Sequence, residues 1–190
     1  MPTQIDVVNQ VLNELGRLPV SDINDDNSSI LISNKIDVLY PELLQRTDWN
    51  FAIAYVTDNT PLTTRISPEY LFNYQLPPNY DRMDRVSWLS INFGWVYRII
   101  DDVIITNVRP IQYYYVVNDA SLSVISETFY RALVLYVASA SAPSITNNTG
   151  LVKYLKTEYI MKLNDAIRQN DMDRMIVSTP YNDFDRTTYI

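Results

Sequence analysis

The sequence predicts an α+β protein: mainly a helical bundle of about four helices, with a small inserted antiparallel β region and an extended C-terminal tail. Three observations predict it. Apolar residues recur at helical spacing towards both ends of the chain. Between them, residues 50–117 switch to β-branched and aromatic runs punctuated by Pro61, Pro68, Pro77 and Pro78. Beyond residue 170 no period is left. At about 150 residues per domain, the 190 residues divide into a single domain over 1–170 and a tail over 171–190.

The first helix is expected over about 4–15. Thr3 can cap it, with Asp6 three residues on, and Ile5, Val8, Leu12 and Leu15 share one face. Gly16 is a natural terminator and Pro19 prevents continuation. Residues 21–27 are a polar loop. The second helix, about 28–46, carries Ile32, Ile36, Leu39, Tyr40 and Leu43 on one face, and Pro41 inside the pattern predicts a kink or a new turn.

The β region opens with Phe51–Val56. Residues Trp95–Thr106 read as a hairpin turning at Asp101-Asp102, and Ile111–Val117 is a further strand. The third helix, about 123–142, has Phe129, Leu133, Tyr136, Val137 and Ala140 on one face. Tyr130, Val134 and Leu135 cover its other faces, and Arg131 is its only charge from 129 to 142. A helix apolar all round is either fully buried or lies in a subunit interface; the interface reading takes Tyr130, Val134 and Leu135 as contact residues. Pro143 is expected to end this helix.

The fourth helix, about 149–170, carries Leu151, Leu155, Tyr159, Leu163 and Ala166. In the tail, isolated large groups (Met175, Ile176, Tyr181, Phe184 and Tyr189) alternate with charges, and Pro180 interrupts. That pattern predicts a segment that either supplies anchors for a partner or folds back on the chain's own bundle, with the partner reading preferred.

Composition removes much of enzymology. Cys and His are both 0, which excludes disulfides, thiolate and imidazole catalysis and the usual zinc ligand sets. The 3 glycines are too scattered for a phosphate-cradling loop. The net charge of −7 repels phosphate backbones, so a nucleic-acid-binding domain is disfavoured. Residues 1–10 lack the basic and apolar regions of a signal peptide, and no apolar run is long enough to span a membrane; a soluble protein made in the cytosol is expected.

Asp22-x-Asn24-x-Asp26 has the spacing that opens an EF-hand loop, but Asn27 and Ser33 stand where that loop wants Gly and Glu. A helix-capping role fits better. The pairs Asp25/Asp26 and Asp101/Asp102 lack the separate environments that catalytic carboxylates need. Tyr70, Tyr74, Tyr80, Tyr97, Tyr113, Tyr114 and Tyr115 could form a stacking surface, yet Tyr is also a common strand and interface residue. No catalytic, cofactor-binding or metal-ligating residue is expected.

The order of the pieces resembles the tail tubular protein A family, the head-to-tail adaptors of short-tailed bacteriophages. Val8–Gly16 with Leu18-Pro19-Val20 is similar to the family's opening LxxLGxxPV. Leu43-Leu44, followed by Trp49-Asn50-Phe51-Ala52, is similar to a long helix running into WxFA. Tyr70–Pro78 resembles YxYxLP, and Ile111–Asp119 followed by an apolar helix resembles the last strand and return. The likeness covers about residues 5–170; residues 79–95 and 171–190 depart from it. It implies a helical bundle with a β insertion, assembled as a dodecameric ring between the portal protein and the tail nozzle protein of a virion. Genomic DNA would pass through the lumen without sequence-specific binding, with no membrane, cofactor or enzymatic activity. The tail residues above would then bind the portal. The alternatives are another virion ring or stopper protein, a soluble protein-binding module, or a carbohydrate-active enzyme; a large closed oligomer separates the first readings from the last.

Overall fold

A computed structural model describes residues 2–86 and 97–177, with side chains as far as Arg174. The described residues form four α-helices and two three-stranded antiparallel sheets, an α+β protein. They divide into a helical unit drawn from Met1–Phe51 and Ser121–Ile190 and a β unit, Ala52–Ala120.

In the helical unit, α1 (Gln4–Glu14) starts at a capping box: the Asp6 amide donates to Thr3 Oγ1 and the Thr3 amide to Asp6 Oδ2. The hydrogen bonds from Thr3 hold the Asp6 carboxyl below its ordinary range. The helix ends at Gly16, whose φ of 68° lets the Gly16 amide reach Asn13 O (3.0 Å) and the Arg17 amide reach Leu12 O (2.8 Å). Asn9 then clamps the following loop, donating to Val20 O and accepting from the Val20 amide.

Helix α2 (Asn27–Leu44) is capped by Asp26, which accepts from the Ser28 amide. Its core stripe is Ile32, Ile36, Leu43 and Leu44. Helix α3 (Glu127–Ile145) packs against α1, α2 and α4 (Thr149–Val177), so it is central to this unit. That position explains much of its apolarity: neighbours within the chain bury Phe129, Ala132 to Leu135, Val137, Ala138, Ser141 and Ala142. Its one mid-helix charge, Arg131, pairs with Glu14 at 2.7 Å. Phe129, fully buried, sits edge-on to Trp49 (4.8 Å), Phe51 (4.9 Å) and Tyr40 (6.0 Å). Such aromatic pairs add about 0.5–1.5 kcal/mol each beyond their burial. Tyr136 stacks on Tyr159 at 4.4 Å, joining α3 to α4.

In the β unit, β1 (Ile53–Asp58), β6 (Ile111–Val117) and β3 (Tyr80–Val86) form one sheet in the order β1-β6-β3. The other is β2 (Phe72–Gln75), β5 (Val103–Thr106) and β4 (Arg98–Ile100) in the order β2-β5-β4. Tyr74, Leu76, Ile104, Ile111, Tyr113 and Tyr115 form the core. Burial, with smaller contributions from Tyr115, Asp58 and Tyr80, pushes the Tyr113 hydroxyl up to about 12.

Several expected boundaries move. Pro143, expected to end the third helix, lies inside α3; Pro41 lies inside α2, where the sequence placed it. Each removes one amide donor, yet the helix runs on because buried residues, Leu43 and Leu44 in α2 and Ala142 in α3, keep the flanking turns docked. Leu122–Val124 is a separate 3-10 turn instead of the start of α3. The Asp101-Asp102 hairpin forms between β4 and β5, with Asp101 at φ 51°, while Trp95 and Val96 of that expected hairpin lie outside the described residues.

The largest correction is α4, which continues through Val177 and does not stop near Asn170. Arg174 Nη1 lies 3.6 Å from Asp48 Oδ2, and Gln169 donates to Asp173 one turn on. Apolar periodicity fades after 170 because Asp171, Met172 and Asp173 are exposed and the turn is pinned by polar contacts, which leave no hydrophobic stripe to read.

Candidate functional site

The candidate sites are surfaces. Of the residues expected in a subunit interface, two are already buried within the single chain. Val134 and Leu135 are 0% and 1% exposed within a single chain, and Tyr130 is half-buried. The helical unit's own packing occupies those faces, so contact with another subunit through Val134 and Leu135 would require the unit to open. Of the expected partner-binding residues, Met175 and Ile176 belong to the last turn of α4. Tyr181, Phe184 and Tyr189 lie outside the described residues.

The acidic residues settle into structural roles. Asp22 accepts from the Asn24 amide, Asp26 caps α2, and Asp25 accepts from the amides of Ser21 and Asp22. Those bonds hold the Asp25 carboxyl below its ordinary range. Asp101 and Asp102 form the β4–β5 turn. Among the described residues, no group of three or more acidic side chains is placed to hold a metal ion. No described helix is long and apolar enough to cross a membrane.

The tyrosines divide in two. Tyr70, Tyr74, Tyr113 and Tyr115 are buried. On the opposite face of the β1-β6-β3 sheet, Tyr55, Tyr114 and Arg85 stand in one cross-strand row. Tyr55 and Tyr114 are 4.8 Å apart, and the Arg85 guanidinium lies 4.3 Å above the Tyr114 ring. Tyr55 is half exposed, at 50%. Such a row can stack on a flat or cationic partner group, though Asp84, 3.7 Å from Arg85, lowers its net charge.

No protein-family model matches the chain, and no curated protein matches it in sequence.

Two further faces belong to the helical unit. On α2, Ile30, Leu31 and Val38 point away from the core stripe and line a shallow groove of about 400 Å³ with Asn34 and Lys35. On α4, Tyr154, Met161 and Met172 are about half exposed on the side opposite Leu155, Tyr159 and Ala166. Sequence reasoning passed over both faces. The signal was present: these helices carry more apolar residues than one buried stripe can use, and the surplus falls on a second face.

Proposed function

We propose that this protein is a structural adaptor of a short-tailed bacteriophage virion, forming a homo-oligomeric ring between the portal and the tail nozzle around the DNA channel. The observation that carries this reading is the role of the residues behind the resemblance. Leu12, Leu15, Leu43, Leu44, Trp49 and Ala52 are all buried, Gly16 terminates α1, and Trp49 donates to Leu43 O at the end of α2. They act as framework in a chain whose two ends build the helical unit and whose middle is a β insertion, the arrangement the resemblance implies. The four helices are read here as the family's bundle.

The ring contacts then come from exposed apolar residues such as Tyr154, Met161 and Met172 of α4. The end of the chain, from Met175 and Ile176 through Tyr181, Phe184 and Tyr189, docks on the portal. A chain of net charge −7 offers DNA few cations to hold it, which suits a passage for the genome. The protein carries out no catalysis in this role.

The test is assembly. The purified chain, mixed with portal proteins from candidate phages, should form a closed ring of uniform mass on the matching portal. A chain that stays monomeric with every portal, or that turns over a substrate and loses that activity on a single Asp→Asn change, removes the adaptor reading.

A further inference from the structure

We propose that the outward face of α4 in one copy of this chain seats on the outward face of α2 in the next copy, with Glu158 against Lys35. The proposal rests on the reading above that the α4 face meets another subunit, and it names what that face meets. Three observations lead to it.

The first is that the helical unit carries two apolar strips its core does not use. On α2, Ile30, Asn34 and Val38 follow one another at four-residue steps, with Leu31 and Lys35 beside them. Val38 is 66% exposed although it is apolar, and the strip is turned away from Ile32, Ile36 and Leu43. On α4, Tyr154, Glu158 and Met161 stand at steps of four and three, the spacing of a seam between two helices. Tyr154 is 57% exposed. Both helices pack on α3, so a single copy shows both strips outward at once.

The second is the match between the strips. Lys35 lies between Ile30 and Val38, and Glu158 lies between Tyr154 and Met161. Each strip is thus an apolar pair with a charge between its members, and the two charges are opposite. The apolar pair spans about 12 Å on α2 and about 10 Å on α4 at 1.5 Å per residue. Setting Glu158 on Lys35 therefore brings both apolar pairs together. Asp165, further along α4, is already held by Lys162 and Arg168, which leaves Glu158 as the carboxylate of the strip.

The third is symmetry. Pairing α2 with α2, or α4 with α4, would set Lys35 beside Lys35 or Glu158 beside Glu158, like charges within an apolar contact. Pairing α2 with α4 sets opposite charges together. A contact between two different faces leaves one strip of each kind free at the ends, so copies add head to tail until the rotation closes them. That is the type of contact a ring needs.

The natural chain has no Cys, so single engineered thiols report cleanly. Val38→Cys chains are mixed in equal amounts with Met161→Cys chains, and separately with Tyr154→Cys chains, at high concentration under mild oxidation. With Lys35 on Glu158, Val38 meets Met161 if the helices run parallel and Tyr154 if they run antiparallel. All three positions are exposed, so the changes leave the core intact. In one of the two mixtures the mixed disulfide, counted by mass, should exceed each like-with-like dimer by at least about ten-fold, against about two-fold for random pairing, because docking raises the effective concentration of that pair. Adding Lys35→Glu to the Val38→Cys chain should bring the ratio down to random, and adding Glu158→Lys to the other chain should restore it. Random ratios in both mixtures overturn the proposal. So does an excess of like-with-like dimers, which would assign the faces to two-fold pairing, or an excess that Lys35→Glu leaves unchanged. No portal is present, so a random ratio leaves the adaptor reading to its own assembly test, and a failure to assemble on any portal leaves this contact to its own ratio.

Discussion

Asn50 and Asn170 stand 120 residues apart in sequence and hold each other through both backbone and side chain. The Asn50 amide donates to Asn170 Oδ1 at 2.8 Å, and Asn50 Nδ2 donates to Asn170 O at 2.9 Å. Asn170 Nδ2 donates in turn to Asp48 O at 3.0 Å. Asn170 is 7% exposed, so water does not readily replace these partners.

Asn170→Ala should therefore destabilise the protein by about 2–3 kcal/mol, since it strands a backbone donor at Asn50 and an acceptor at Asp48. Asn170→Asp keeps the acceptor for the Asn50 amide but sets a buried carboxylate oxygen against Asp48 O, so it should cost at least as much. Denaturant unfolding followed by circular dichroism measures both. An Ala variant as stable as the parent would show that the clamp contributes nothing.

Phe129→Ala removes the ring on which Trp49, Phe51 and Tyr40 converge. The loss should be about 3–5 kcal/mol, as for other fully buried aromatic truncations. Phe129→Leu, which fills more of the space, should cost less. Equal stabilities for the two variants would contradict the packing argument.

At Gly16 the backbone alone is at issue. A Cβ built there meets nothing within 4 Å, but φ is 68°. Gly16→Ala should cost about 1–2 kcal/mol through left-handed strain without any clash, and Gly16→Asn should cost less, because Asn tolerates that region. The order of the two midpoints in urea decides it; Ala above Asn would refute the strain account.

Alkaline pH should weaken the β unit through Tyr113. Its hydroxyl is raised by burial to about 12, against an ordinary value of 10.0. The folded state thus holds the proton more tightly than the unfolded state. The resulting stability is fully present below pH 10 and is lost as pH rises through about 12, a total of about 2–3 kcal/mol. Tyr113→Phe should flatten the pH dependence of unfolding in that window. An unchanged slope in the Phe variant would remove Tyr113 as its source.

Ser141 is fully buried in α3, and its hydroxyl oxygen has no hydrogen-bond partner. Ser141→Ala should leave stability unchanged or raise it by about 1 kcal/mol, because it deletes an unsatisfied polar atom and improves helix propensity. A thermal midpoint several degrees below the parent would mean that the hydroxyl makes a bond that matters.

The helices were legible in the sequence because their signals are local. Thr3 with Asp6, Gly16 after Leu15, and the Ile32–Ile36–Leu43 stripe depend on neighbours within a turn or two, and capping and periodicity act over that distance. The hairpin at Asp101-Asp102 was legible for the same reason. The α+β class follows from these elements, as does the placing of residues 50–117 between the helices. Other facts depended on partners far along the chain. That α3 is the centre of its unit, and not an exposed apolar helix, was decided by α1, α2 and α4 closing around it. The sequence left burial and interface equally open, since both remove the same side chains from water. The division of the β region into two sheets was decided by β6 pairing with β1 and β3 across long separations. The continuation of α4 past Asn170 was decided by Asn50 and Asp48, whose polar clamps leave no trace in hydrophobic periodicity. The surplus faces of α2 and α4 became visible only once the core had used the stripes it needs.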